Sequence, residues 1–322
     1  MLDRISRDDR GSDELLCFGH HVLAKKDMII TRICGGLGNQ MFQYAVGRHL
    51  ACIHNTDLKL DLSWYDDCSG RTYDLEAFTI KAERASKTET NRIKSVMQKK
   101  NDRLIDRLSS ILLRAKDLCY TKENYFHYDP GVLKSPDNSY LDGYWQSEKY
   151  FQAIADTIRN DFSLRAPLSN GNQRTLEHIL KANAVSIHVR RGDYASNPGT
   201  NLVHGTCSPK YYSTAAELIA SRLDSPEFFI FSDDIAWTRD NLKIHYPHTY
   251  VAGTVSDQAV QEIVLMSNCK HHIIANSTFS WWGAWLNISI NKTIIAPHQW
   301  FTTQNQSQRM MQDLLPASWI TL

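Results

Sequence analysis

The sequence predicts an α/β protein with two Rossmann-like parallel-sheet domains facing across a cleft. Three observations carry this. A short β-branched run at 28–33 enters a glycine turn, Gly35-Gly36-Leu37-Gly38, and then a stretch with Phe42, Ala45, Val46, Leu50 and Ile53 at helical spacing. The same strand, turn and helix order restarts at Val185, where apolar Val185, Ile187 and Val189 alternate with Ser186, His188 and Arg190. A chain of 322 residues favours two cores over one.

The elements follow in order. Residues 1–27 mix charges with one short apolar patch and read as a loose tail, too brief for a secretory signal. The first domain spans 28–165, with a second strand where Leu58, Leu60 and Leu62 alternate with Lys59 and Asp61. Within it, 81–117 is a basic helical insertion with Ile93, Met97, Leu104, Leu108, Ile111 and Leu112 on an apolar side. It reads as a solvated helical pair, or as a basic face resting on anionic lipid at the inner side of a membrane. The polar stretch 165–172 is the predicted linker. The second domain, 180–322, continues with a helix over 211–223, a strand over 228–231 ending at Ser232-Asp233-Asp234, and a helix over 258–267. A strand over 272–275, a further helix and a strand over 293–296 complete it.

Bulk properties narrow the function. Net charge is +1, so no global field draws the chain to nucleic acid, and any anion must be met locally. Seven cysteines are widely spaced without a C-x-x-C, which favours a reducing compartment over a disulfide framework. Thirteen histidines show no metal-ligand spacing, so no metal is expected. No apolar run reaches the roughly 18 residues of a spanning helix, and a cytoplasmic enzyme is expected. Sequons at Asn276, Asn287, Asn291 and Asn305 are read as chance, because a glycan on Asn276 would fill the site described next.

Three segments carry candidate chemistry. Arg190-Arg191-Gly192-Asp193 begins where a strand ends, the position at which open α/β sheets bind ligands. Paired arginines there suit a diphosphate, while the plain alternative is a surface Arg–Asp ion pair. Residues 274–283 run from a strand through Asn276, Ser277 and Thr278 into a helix whose free N–H groups form an anion site. Simple N-capping over a Trp281, Trp282 and Trp285 core is compatible with this. The turn Gly35-Gly36-Leu37-Gly38-Asn39-Gln40 matches neither the dinucleotide fingerprint nor a P-loop, yet it brings backbone close to a ligand. The missing fingerprint counts against a nicotinamide-dependent oxidoreductase.

Together these segments resemble the bacterial α-1,2-fucosyltransferases of glycosyltransferase family 11. The matching stretches are GGLGNQMFQYAVGRHLA (35–51), LDLSWY (60–65), GYWQSEKYF (143–151), SIHVRRGDY (186–194), FSDD (231–234) and SNCKHHIIANSTFSWWGAWL (267–286). The resemblance implies a GT-B fold, GDP-fucose as donor, inversion at the anomeric carbon and no obligatory metal. It implies a galactose-terminated glycan as acceptor, such as a lipid-linked O-antigen precursor. By position, Arg190 and Arg191 hold the diphosphate, and His188 lies at the nucleotide pocket. Ser277, Thr278, Phe279 and Ser280 lie at the phosphates, and Asn39 faces donor sugar and phosphate. Glu262 stands where an Asp is expected on the guanine edge, and Asp233 completes the donor set. Asp193 is the first candidate base for the acceptor hydroxyl, with Arg191 as its catalytic partner; alternatively Asp193 only orients an arginine. Asp233 and Asp234 are secondary candidates that could instead cap the following helix. The competing reading is a non-catalytic sugar-nucleotide or glycan-binding protein on the same fold.

Overall fold

The computed structural model describes residues 27–68, 70–91, 93, 118–251, 258–302 and 312–322. The tail and most of the basic insertion lie outside the described residues, and with them the expected membrane-facing surface.

The first sheet has order β3-β2-β1-β5-β4, all parallel: β1 (Met28–Arg32), β2 (Asp57–Asp61), β3 (Glu83–Arg84), β4 (Cys119–Lys122) and β5 (Ser139–Asp142). The second has order β11-β10-β9-β6-β7-β8, also parallel: β6 (Asn183–Val189), β7 (Pro226–Ser232), β8 (His248–Tyr250), β9 (His271–Ile273), β10 (Ile294–Ala296) and β11 (Ile320–Thr321). The long central strand β6 is buried on both faces, so Ser186 and His188 are as enclosed as Val185 and Ile187. In each sheet the chain reverses its direction of travel, between β1 and β5 and between β6 and β9. Such switch points open a crevice at the carboxyl ends.

Helix α1 (Leu37–His54) begins after the N-cap Gly36, which follows Gly35, whose φ of +78° turns the chain off β1. It is covered on nearly every side, and its buried polar residues Gln40, Gln43 and His49 are each hydrogen-bonded. One face meets β1 and β2; the other meets α9 (Thr278–Trp285), which follows β9 in the second half of the chain. Trp281 and Trp282 pack on Phe42 at ring distances of 4.5 and 4.9 Å, and Trp282 stacks on Phe151 at 5.3 Å. The indoles of Trp282 and Trp285 donate to Gly38 O and to the Glu148 carboxylate. The tryptophan run is core, as expected, and it joins the two halves of the molecule into one apolar body.

The linker expectation is corrected in part. Helix α3 (Asn170–Lys181) starts inside the stretch read as a linker, because the Ser169 hydroxyl accepts from Asn172 N and Gln261 holds both Ser169 and Asn172. Capping and packing thus override the loop propensity of Ser-Asn-Gly-Asn. Strand β5 escapes sequence reading because four residues are too few to display a period; its register with β1 and β4 holds it in place.

Candidate active site

The carboxyl ends of the two sheets face each other across a cleft of about 920 Å³. From the second half it is lined by His188, Arg190, Asp193, Asp233, Glu262 and the run Ser277, Thr278, Phe279; from the first, by Gly36, Leu37, Gly38 and Asn39. Two expected residues are not in its wall. Ser280 is buried and turns its hydroxyl back to donate to Ala275 O and Ser277 O. Arg191 lays its guanidinium 3.5 Å from the centroid of the Trp237 ring and pairs with Asp234. Adjacent residues leaving a strand point to opposite sides, so only one of the two arginines can enter the cleft.

That residue is Arg190. Its guanidinium pairs with Asp233 at 2.7 Å and with Asp193 at 2.6 Å. Asp233 also accepts from Arg191 N. Gly192 lets this carboxylate in, since a Cβ there would lie 2.6 Å from it. The neighbouring Asp234 caps α7 (Ile235–Asn241) by accepting from Trp237 N. The other oxygen of Asp193 accepts from Arg71, which reaches over from the first half of the molecule. Both oxygens of Asp193 are therefore held by cations.

Arg71 is positioned by a residue inside the glycine-turn motif. The buried Gln40 amide donates to Gly35 O and Thr72 O and accepts from Asp74 N, tying the loop of Arg71 to the start of α1. Neither α1 nor α9 has a side chain capping its first turn, and both helix starts line the same cleft. They touch: a Cβ on Gly38 would stand 2.5 Å from Phe279 N. Asn39 Oδ1 accepts from Thr278 and Gln146, which presents its amide group between the two starts. Two positive dipole ends and Arg190 thus converge on one space, an arrangement suited to a dianionic group.

Aromatic and imidazole groups finish the wall. His188 is 3% exposed, packs 5.2 Å from the Phe279 ring, and burial pushes its imidazole down to about 4, so it is neutral at neutral pH. Its Nδ1 has no hydrogen-bond partner among the described residues. His204, at the end of α5 (Pro198–His204), stacks on Tyr194 at 4.6 Å and packs on Phe301. Burial lowers its proton affinity as well, against the opposing field of Asp193. Asn276, 2% exposed, donates to His204 O and Trp300 O, which leaves its sequon no room for a glycan.

Sequence reasoning missed Arg71, Tyr144, Gln146, Tyr194, His204 and Phe301, all of which line the cleft. Tyr144, Gln146 and Tyr194 fall inside stretches already quoted for the resemblance, which was the available signal. Arg71, His204 and Phe301 sit in loops or at element ends with no local pattern of their own.

Residues 86–322 match the family model of Glycosyl transferase family 11. Alpha-1,2-colitosyltransferase from Escherichia coli is 33% identical, over 92% of this chain and 99% of that protein. The O-antigen biosynthesis glycosyltransferase WbnK, also from Escherichia coli, is 32% identical over 90% and 99%. Galactoside alpha-(1,2)-fucosyltransferase 1 from Bos taurus is 27% identical over 52% of this chain and 47% of its own length. In fold, a mutant of Arabidopsis thaliana FUT1 solved in complex with GDP aligns with a TM-score of 0.51 at 14% identity, covering 89% of this chain and 74% of that one. The two parallel-sheet domains form a GT-B fold, and the chain belongs to glycosyl transferase family 11.

Proposed function

We propose that this glycosyltransferase moves L-fucose from GDP-β-L-fucose to the 2-hydroxyl of a terminal galactose in a surface-glycan precursor, with inversion. The observation that carries the reading is the convergence of Arg190 and the uncapped starts of α1 and α9 on one cleft. In such a transfer the acceptor oxygen forms a bond to the anomeric carbon while the bond to the β-phosphate oxygen breaks. Charge then develops on the departing GDP, where fixed donors stabilise it. Arg190 is the guanidinium for that charge, and Glu262 on α8 (Gln258–Asn268), 8% exposed in the cleft wall, is the carboxylate for the guanine edge.

The acceptor proton needs a base. With each oxygen engaged by a different guanidinium, Asp193 serves as the positioning carboxylate for Arg190 and Arg71. His204, neutral and in the same wall, takes the proton.

The 33% identity to an alpha-1,2-colitosyltransferase favours a second donor, a nucleotide-activated colitose. Incubation of the protein with GDP-fucose or GDP-colitose and a panel of β-galactosides, with the product linkage assigned by NMR, decides between them. Fucosyl-α-1,2-galactose supports the first reading and colitosyl transfer the second. Donor binding with no transfer to any acceptor overturns both.

A further inference from the structure

A second hollow, of about 340 Å³, is lined by Arg32, Ser63, Trp64, Asp67 and Cys68. Its volume is at the lower end of ligand pockets, about 300–1,000 Å³. Its position follows from the topology. Arg32 is the last residue of β1 and Asp142 the last of β5, the two strands that flank the switch point of the first sheet, and they pair at 2.9 Å.

The residues that line the hollow are held from behind. Asp61, 4% exposed at the end of β2, accepts from the Tyr140 hydroxyl and from Ser63 N, which fixes the turn that presents Trp64. Asp142 also accepts from the Tyr120 hydroxyl, so the carboxylate that holds Arg32 is itself held. Tyr144 relates the hollow to the cleft. This residue lines the cleft, follows Asp142 by two positions, and its phenol lies beside the Cys34 thiol and in the field of Arg32.

The chemistry selects the ligand. Arg32 is neutralised by Asp142 and Asp67 adds a negative charge, so an anion such as a lipid diphosphate is disfavoured. A neutral polyol is favoured: Arg32, Ser63 and Asp67 offer donors and acceptors for hydroxyls, and Trp64 offers a ring to the C–H face of a sugar. Resting on the reading of the cleft as a glycosyl-transfer site, we propose that this hollow is an acceptor-extension subsite. It holds the neutral sugar unit next to the terminal galactose, and Tyr144 bridges it to the reacting residue.

The test compares methyl β-galactoside with lactose and β-galactosyl-1,3-N-acetylgalactosamine as acceptors for the intact chain. The wild type is expected to show a kcat/KM at least about tenfold higher for one of the disaccharides, the scale of one aromatic contact. Trp64→Ala and Asp67→Asn are expected to collapse that ratio toward unity while the KM for GDP-fucose stays within about twofold. A ratio unchanged in both variants, or a wild type with no disaccharide preference, overturns the proposal. If no acceptor turns over, saturation-transfer NMR of the disaccharides with the GDP-loaded protein tests the hollow apart from the transfer reading. Signal lost in Trp64→Ala supports the subsite, and signal identical in wild type and variant refutes it. Tighter binding of galactose phosphate than of galactosides also refutes it. Thermal melts of both variants confirm that they are folded.

Discussion

Arg71 and Asp193 lie 122 positions apart in the chain and 2.6 Å apart across the cleft, one from each half of the molecule. The pair is partly exposed, so its share of stability is small, about 0–1 kcal/mol. Its weight falls on the geometry of Arg190, which shares Asp193. Arg71→Ala is therefore expected to melt close to the wild-type temperature yet to transfer sugar up to about 10²-fold more slowly, the cost of a misplaced group. Parallel losses of melting temperature and activity would instead mark Arg71 as a structural residue.

The base assignment separates by pH profile. His204→Gln is expected to lower kcat by about 10²–10⁴-fold and to remove the acidic limb of kcat/KM. Asp193→Asn is expected to keep that limb while raising the KM for the donor, because it loosens Arg190. If the limb vanishes in Asp193→Asn and persists in His204→Gln, Asp193 is the proton acceptor.

Arginine substitutions distinguish the neighbours. Arg190→Lys is expected to cost about 10²–10³-fold in kcat, since an ammonium cannot reproduce a fork engaged on two carboxylates. Arg191→Lys is expected to cost far less, because Arg191 stacks on Trp237 outside the cleft wall. Steady-state kinetics on both variants checks the contrast. With Arg190 and two helix starts meeting the leaving charge, EDTA dialysis is expected to leave the rate unchanged.

Gly38 is where the two helix starts meet. Gly38→Ala places a methyl group against Phe279 N and Thr278 C at 2.5 Å, both backbone atoms. Overpacking of this kind costs about 1–3 kcal/mol. Calorimetry of GDP binding is expected to show weakened affinity beyond the drop in melting temperature, since the anion-binding ends are pushed apart.

Buried histidines set the acid limit. Burial pushes His188 down to about 4 and His272 down to about 3, against 6.5 for an exposed imidazole. Between those values the unfolded chain binds protons that the folded chain does not, so stability falls as pH drops below about 6.5. The loss levels off below about 3, where both states are protonated. His272, away from the cleft wall, accepts from or donates to Ser186 at 2.8 Å. His272→Gln is expected to flatten the melting-temperature profile over this window, and an equally steep profile would contradict the assignment.

Sequence alone determined the parallel α/β architecture, the glycine turn, the arginine segment and the tryptophan helix, because each is written in a local period or a dense motif. The strand 183–189 and the helix after Gly36 are legible from the spacing of their apolar residues, although both are buried almost continuously. In the cleft wall, Asn39, His188, Arg190 and Ser277 were legible through the dense motifs that carry the family resemblance. Only the tertiary structure decided that Arg190 rather than Arg191 enters the cleft, because that depends on which face of β6 the last residue leaves. It alone supplied Arg71, whose partner is fixed by how two sheets are held together and not by any spacing along the chain. The same holds for Asp193, whose two carboxylate oxygens take a cation from each half of the molecule.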